Sequence, residues 1–99
     1  MPFFIKTEMI REIYLQNKKI KIKEIIQEHK TWIKSLKAKG LKIKSGFLVN
    51  EKKEAGGGGF LIIECDSYHI ALDIVKQDPM IKNQIVDWKL HEWINVCTT

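Results

Sequence analysis

Residues 20 to 40 read IKIKEIIQEHKTWIKSLKAKG. At helical spacing Ile22, Ile26, His29, Ile33, Leu36 and Gly40 share one face in steps of four and three, while Lys21, Lys23, Lys30, Lys34, Lys37 and Lys39 mostly point away. The spacing predicts an amphipathic helix closed by Gly40, because glycine takes the left-handed conformation at a helix end without penalty. His29 then faces the fold and not the water. A buried imidazole needs a hydrogen-bond partner, and with an ordinary pKa of about 6.5 it is suited to moving protons near neutrality. The partner of His29 is therefore the functional question.

Before this helix, Phe3 to Ile10 sets Phe3, Ile5, Thr7 and Met9 against Phe4, Lys6 and Glu8, the alternation of a strand with one strongly apolar face. Residues 11 to 17 either prolong the strand or begin a helical turn, with Gln16-Asn17 as the break. After the helix, Leu41 to Asn50 alternates again, with Leu41, Ile43, Phe47 and Val49 on one side and Lys42, Lys44 and Leu48 on the other. The glycines Gly56 to Gly59 sit between strand signals and predict a hairpin turn within residues 51 to 59. They do not form a phosphate loop, since no Gly-Lys-Ser/Thr follows.

Phe60 to Cys65 is apolar except for Glu64, which predicts a central strand buried on both faces. Asp66 or Ser67 caps a second helix with Ile70, Ala71, Ile74 and Val75 inward. It stops before Asp78-Pro79, because proline disfavours helical geometry in the residue ahead of it. Asp78 then caps a short turn opened by Pro79 and running to about Gln84. The last strand, Val86 to Val96, sets Val86, Trp88, Leu90 and Ile94 against Asp87, His91 and Trp93. The order β-α-β-β-α-β is the ferredoxin-like α+β pattern, a four-stranded antiparallel sheet with two helices on one face.

The opposite sheet face is expected to carry Phe4, Phe60, Ile62, His91 and Trp93, or a similar set if a register slips. Leaving such side chains in water costs about 25 cal/mol per Å². A second copy of the sheet is the simplest cover, which predicts a two-fold homodimer packed sheet to sheet, with a small-molecule cavity between the sheets or at their rim.

Composition narrows the function classes. Ninety-nine residues, 44% hydrophobic and 29% charged, describe one globular domain over residues 1 to 99. No apolar run is long enough to span a membrane and no secretory leader is recognisable, so the expectation is a cytoplasmic protein with no membrane partner. Cys65 and Cys97 lack metal-ligand spacing and read as small hydrophobes or thiols. Residues 1 to 50 carry 12 Lys/Arg against 4 Asp/Glu, while 51 to 99 carry 5 against 8. Dispersed lysines read as a solvated helix face and not as a nucleic-acid stripe.

His29 and Asp78 are the candidate catalytic residues, since the split β-α-β pattern sets their helices side by side and a carboxylate can fix the tautomer of an imidazole. Trp32, Ser45, His91 and Trp93 are candidate substrate-binding residues. His29, His69 and His91 show no HxH, HxxxH or HExxH spacing, so neither a metal nor another cofactor is expected.

The ordered set His29-x-x-Trp32-Ile33-x-x-Leu36-x-x-x-Gly40, Ser45-Gly46-Phe47-Leu48, Gly59 to Glu64 with Asp66-Ser67 and Ala71, and Asp78-Pro79-Met80 resembles the YciI-like (YCII-related) family. The resemblance implies a dimeric α/β barrel similar to muconolactone isomerase, with an active site on His29 and Asp78. It also implies a link, in some members, to the breakdown of aromatic compounds. Where members often carry an arginine a turn before the histidine, this chain has Ile25-Ile26-Gln27-Glu28, and Phe47 stands where a proline often follows the glycine of the second strand.

The expected activity is that of a small cofactor-independent enzyme. His29 and Asp78 serve as general acid/base on a small cyclic or aromatic acid, in an isomerase or lyase type of reaction. A non-catalytic small-ligand-binding or accessory domain is the alternative. RNA binding, which uses the same element order, wants aromatics two apart on the third strand, where Phe60 is followed by Leu61 and Ile62.

Overall fold

The computed structural model describes residues 1 to 16 and 22 to 97. Asn17 at the expected break, and Ile20 and Lys21 at the start of the lysine-rich helix, lie outside the described residues. The elements are β1 (Phe3–Ile10), α1 (Glu12–Gln16), α2 (Ile22–Ala38), β2 (Lys42–Val49), β3 (Ala55–Glu64), α3 (Tyr68–Val75), α4 (Pro79–Lys82) and β4 (Val86–Trp93).

The strands form one antiparallel sheet in the order β2-β3-β1-β4. Helices α2 and α3 cover one face of it, where Phe4, Ile43, Leu61, Ile63 and Leu90 from the strands meet Ile33, Ala71 and Val75 from the helices. This is the ferredoxin-like α+β arrangement that the element order predicts. A second cluster of Met80, Ile85 and Val86 lies beside it, with Tyr14 of α1 packed against it. Residues 12 to 16 thus begin a helical turn and do not prolong the strand.

Local signals set most boundaries. Gly40 takes φ +92° just past α2, and the Leu41 N–H bonds back to the Leu36 carbonyl at 3.0 Å, closing the helix as expected. Ser67 caps α3 by accepting the Ile70 N–H, and Asp78 caps α4 by accepting the Met80 N–H.

Four expectations are corrected. The glycine run is not the turn: β3 starts at Ala55, and the reversal is made by Asn50 to Glu54, where the Asn50 side-chain oxygen accepts the N–H groups of Lys52 and Glu54. Gly58 and Gly59 are needed inside the strand because β1 passes so close. A Cβ on Gly58, at φ +87°, would run into the Glu8 carbonyl, and one on Gly59 would lie 2.8 Å from Glu8 Cγ.

The second correction concerns Phe4, which is buried under the helices and does not lie on the open face. By register the open face carries Phe3, Ile5, Phe60, Ile62, His91 and Trp93. The cause is Lys6: it shares the inward side of β1 with Phe4, and a lysine there reads as a mark of solvent. Lys6 is nevertheless fully buried. Third, β3 is central but closed on one side only, since Leu61 and Ile63 are buried while Phe60 and Ile62 are partly exposed.

Strand β4 also ends sooner than expected, at Trp93, and Ile94 and Val96 are exposed. Cys65 is a buried core residue whose thiol pKa is pushed up by burial, and Cys97 is exposed. Among the described residues no helix is long and apolar enough to cross a membrane.

Candidate active site

His29 projects from the inner stripe of α2 between the N-terminus of α4 and the edge strand β2. Its Nδ1 lies 2.8 Å from Asp78 Oδ1, and its Nε2 lies 2.8 Å from Ser45 Oγ. Asp78 is delivered by the local logic of the Asp-Pro step. Proline at the first helical position leaves the preceding residue extended, and the carboxylate folds back so that Oδ1 also accepts the Met80 N–H at 2.9 Å. Capping and holding the histidine are thus done by one oxygen. Ser45 faces the helices because it shares the inward side of β2 with Ile43.

The other Asp78 oxygen accepts a hydrogen bond from Lys6 Nζ at 2.7 Å, and Lys6 also pairs with Glu8. Asp78 is fully buried, and burial alone works to raise its pKa. The hydrogen bond from His29 and the charge and hydrogen bond of Lys6 outweigh that and hold the carboxyl below the usual range. An ionised Asp78 can only accept. In a neutral ring Nδ1 must then carry the proton, which leaves Nε2 to accept from the Ser45 hydroxyl.

Four polar side chains therefore run in series from core to surface: Lys6, Asp78, His29 and Ser45. Lys6 and Asp78 have no exposed side-chain area, His29 has 14%, and Ser45 is exposed. Chemically, such a series can take a proton at its outer end and stabilise the resulting imidazolium at its inner end.

The six candidate residues divide between the two sides of the sheet. His29, Asp78 and Ser45 come together, and the Trp32 ring sits 5.7 Å from that of His29. The Trp32 indole N–H is buried with no hydrogen-bond partner among the described residues. His91 and Trp93 lie on the opposite sheet face, paired through β1 with Ile5 and Phe3. They do not approach His29.

Among the described residues shallow depressions lie along α2 beside Trp32, of about 510 Å³, and at the β2 edge beside Phe3 and Ile62, of about 520 Å³. Neither is lined by His29, Ser45 or Asp78. Among the described residues no three His, Cys, Asp or Glu side chains gather as a metal site.

Sequence reasoning missed Lys6 and Glu8. The available signal was an otherwise odd lysine on the side of β1 shared with Phe4, in a fold where a buried carboxylate needs a cation.

Fold and site together define a ferredoxin-like α+β protein with a His–Asp pair wedged between its first long helix and the turn after α3. The chain belongs to the family of the YCII-related domain, which it matches over residues 8 to 94. Among solved structures it is similar to 5-chloro-2-hydroxyhydroquinone dehydrochlorinase (TftG) from Burkholderia phenoliruptrix AC1100 in complex with 2,5-dihydroxybenzoquinone. The TM-score is 0.70 at 23% identity, over 93% of each chain. It is also similar to the de novo designed protein Ferredog-Diesel, with a TM-score of 0.56 at 9% identity over 92% of this chain and 84% of that one. No curated protein matches it. The family resemblance read from the ordered motifs is thereby borne out, and so is the fold.

Proposed function

We propose that this chain is a small enzyme in which His29 moves a proton and Asp78 orients the ring, acting on a small cyclic or aromatic acid in an isomerase or lyase type of reaction. The observation that supports the reading is the 2.8 Å contact of His29 Nδ1 with a carboxylate that is itself fully buried and ion-paired. It leaves Nε2, which faces the exposed Ser45 hydroxyl, as the working nitrogen. When Nε2 takes a proton from substrate carbon or oxygen, the positive ring is stabilised by Asp78, whose position Lys6 and the Met80 N–H maintain. The neighbour TftG, a dehydrochlorinase seen with a hydroxylated quinone, adds hydroxylated quinoid rings to the substrates worth trying.

The experiment is a screen of small lactones, ring acids and hydroxylated quinoid compounds for turnover, repeated with His29→Gln. The expected outcome is loss of about 100-fold or more in kcat with the circular dichroism spectrum kept. Full activity in the folded variant would sink the proposal.

The alternative is a binding module that holds a small ligand without converting it. In its favour, neither depression reaches His29. Ligand binding without product, unchanged by His29→Gln, would establish it.

We further propose that the open sheet face packs on a second copy of the chain. Phe3, Met9 and Trp93 on that face are 41%, 52% and 51% exposed, and the Phe3 and Trp93 rings lie 6.1 Å apart. The partner in that assembly is another copy of this chain, and His91 and Trp93 then line the space between the sheets, away from His29.

A further inference from the structure

We infer that Ser45 is a nucleophile, and that this chain hydrolyses small esters or lactones through an acyl-Ser45 intermediate. The inference shares the His29–Asp78 pair with the reading above but adds hydrolysis of an ester or lactone bond and a covalent step. A serine is a weak nucleophile until a base takes its proton, and the base must be held in one tautomer by a third group. All three roles are filled here. Ser45 Oγ is 2.8 Å from His29 Nε2, and His29 Nδ1 is 2.8 Å from Asp78 Oδ1. Asp78 is fully buried and fixed by Lys6 and the Met80 N–H.

The order of exposure supports it. Ser45 is exposed while His29 is mostly covered, so an incoming molecule meets the hydroxyl first, and the first proton within reach of Nε2 belongs to Ser45. Ser45 also lies on β2, which among the described residues is an edge strand, so the outer side of its backbone has no partner strand.

In the step, Ser45 Oγ bonds to the carbonyl carbon as its proton passes to Nε2, and the carbonyl oxygen takes the electron pair. Collapse breaks the ester C–O bond, and the leaving alkoxide receives the proton from Nε2. Water then attacks the acyl carbon, giving its proton to Nε2. The carboxylic acid leaves and Ser45 recovers its hydrogen, so one water is consumed for each ester cleaved.

The test is incubation of the whole chain with p-nitrophenyl acetate, with release of p-nitrophenol followed and the acetylated residue mapped by peptide mass spectrometry. Expected is one acetyl group on Ser45, formed about 100-fold more slowly or worse in His29→Gln. A fluorophosphonate probe mapped on the wild-type chain gives the same answer without any variant. No label on Ser45 from either reagent, or equal labelling in folded His29→Gln, would overturn the inference. His29-dependent proton transfer with Ser45 unlabelled removes this inference alone, whereas labelled Ser45 with no such activity removes only the earlier reading.

Discussion

Lys6 Nζ lies 2.7 Å from Asp78 Oδ2, and neither side chain has any exposed area. An ion pair at that depth is stabilising only while both members are present, because each has given up its hydration. The pair thus ties the stability of the sheet to the geometry of the site: β1 supplies the cation, and the turn after α3 supplies the carboxylate that holds His29.

Substituting Lys6→Met leaves a buried carboxylate short of its cation and is expected to cost about 3–5 kcal/mol. Adding Asp78→Asn to that variant should recover part of the loss. Urea unfolding of the two single variants and the double variant measures the coupling; additive effects would show that the pair contributes nothing jointly.

The depressed pKa of Asp78 sets a pH dependence. Its unfolded counterpart titrates at about 3.9, higher than in the folded chain, so between the two values the unfolded state binds more protons and stability rises with pH. The contribution is complete above about pH 5 and is lost as pH falls through the folded value. In Asp78→Asn the acid limb of a stability profile should be shallower; an unchanged limb would show that other groups set it.

The tautomer of His29 can be measured without any substrate. Long-range proton–nitrogen spectra of the neutral ring should show Nδ1 protonated and Nε2 bare, since Asp78 accepts at one side and Ser45 donates at the other. Asp78→Asn should shift the signals towards a mixture. A wild-type ring protonated at Nε2 would reverse the proton path.

Gly58→Ala is expected to destabilise by more than about 1 kcal/mol, because φ is +87° and the methyl group would meet the β1 backbone at Glu8. Gly46→Ala, with open space and an ordinary backbone, should be neutral or slightly stabilising. Equal thermal midpoints for the two would refute this account of the glycine run.

If the open face is the contact between two copies, Ile62→Lys places a charge at its centre beside Ile5. Sedimentation should then show a dimer for the wild-type chain and a monomer for the variant. A wild-type monomer at high concentration would remove the dimer.

Much of the architecture was legible in the amino-acid order, because period-2 and period-3.6 patterns, Gly40, Ser67 and Asp78-Pro79 are local devices whose physics needs only neighbouring residues. The meeting of His29 with Asp78 could be anticipated from topology for the same reason: both stand at defined places on elements that the β-α-β connection sets side by side. The inward face of β1 could not be read this way. Lys6 ends in a charged ammonium, and the approach of Asp78, 72 positions along the chain, is what makes burying that charge tolerable. Tertiary structure also decided which face of the sheet each candidate occupies. A single step in a strand moves a side chain to the other side, and that choice rests on distant charges and close backbone contacts that no local pattern contains.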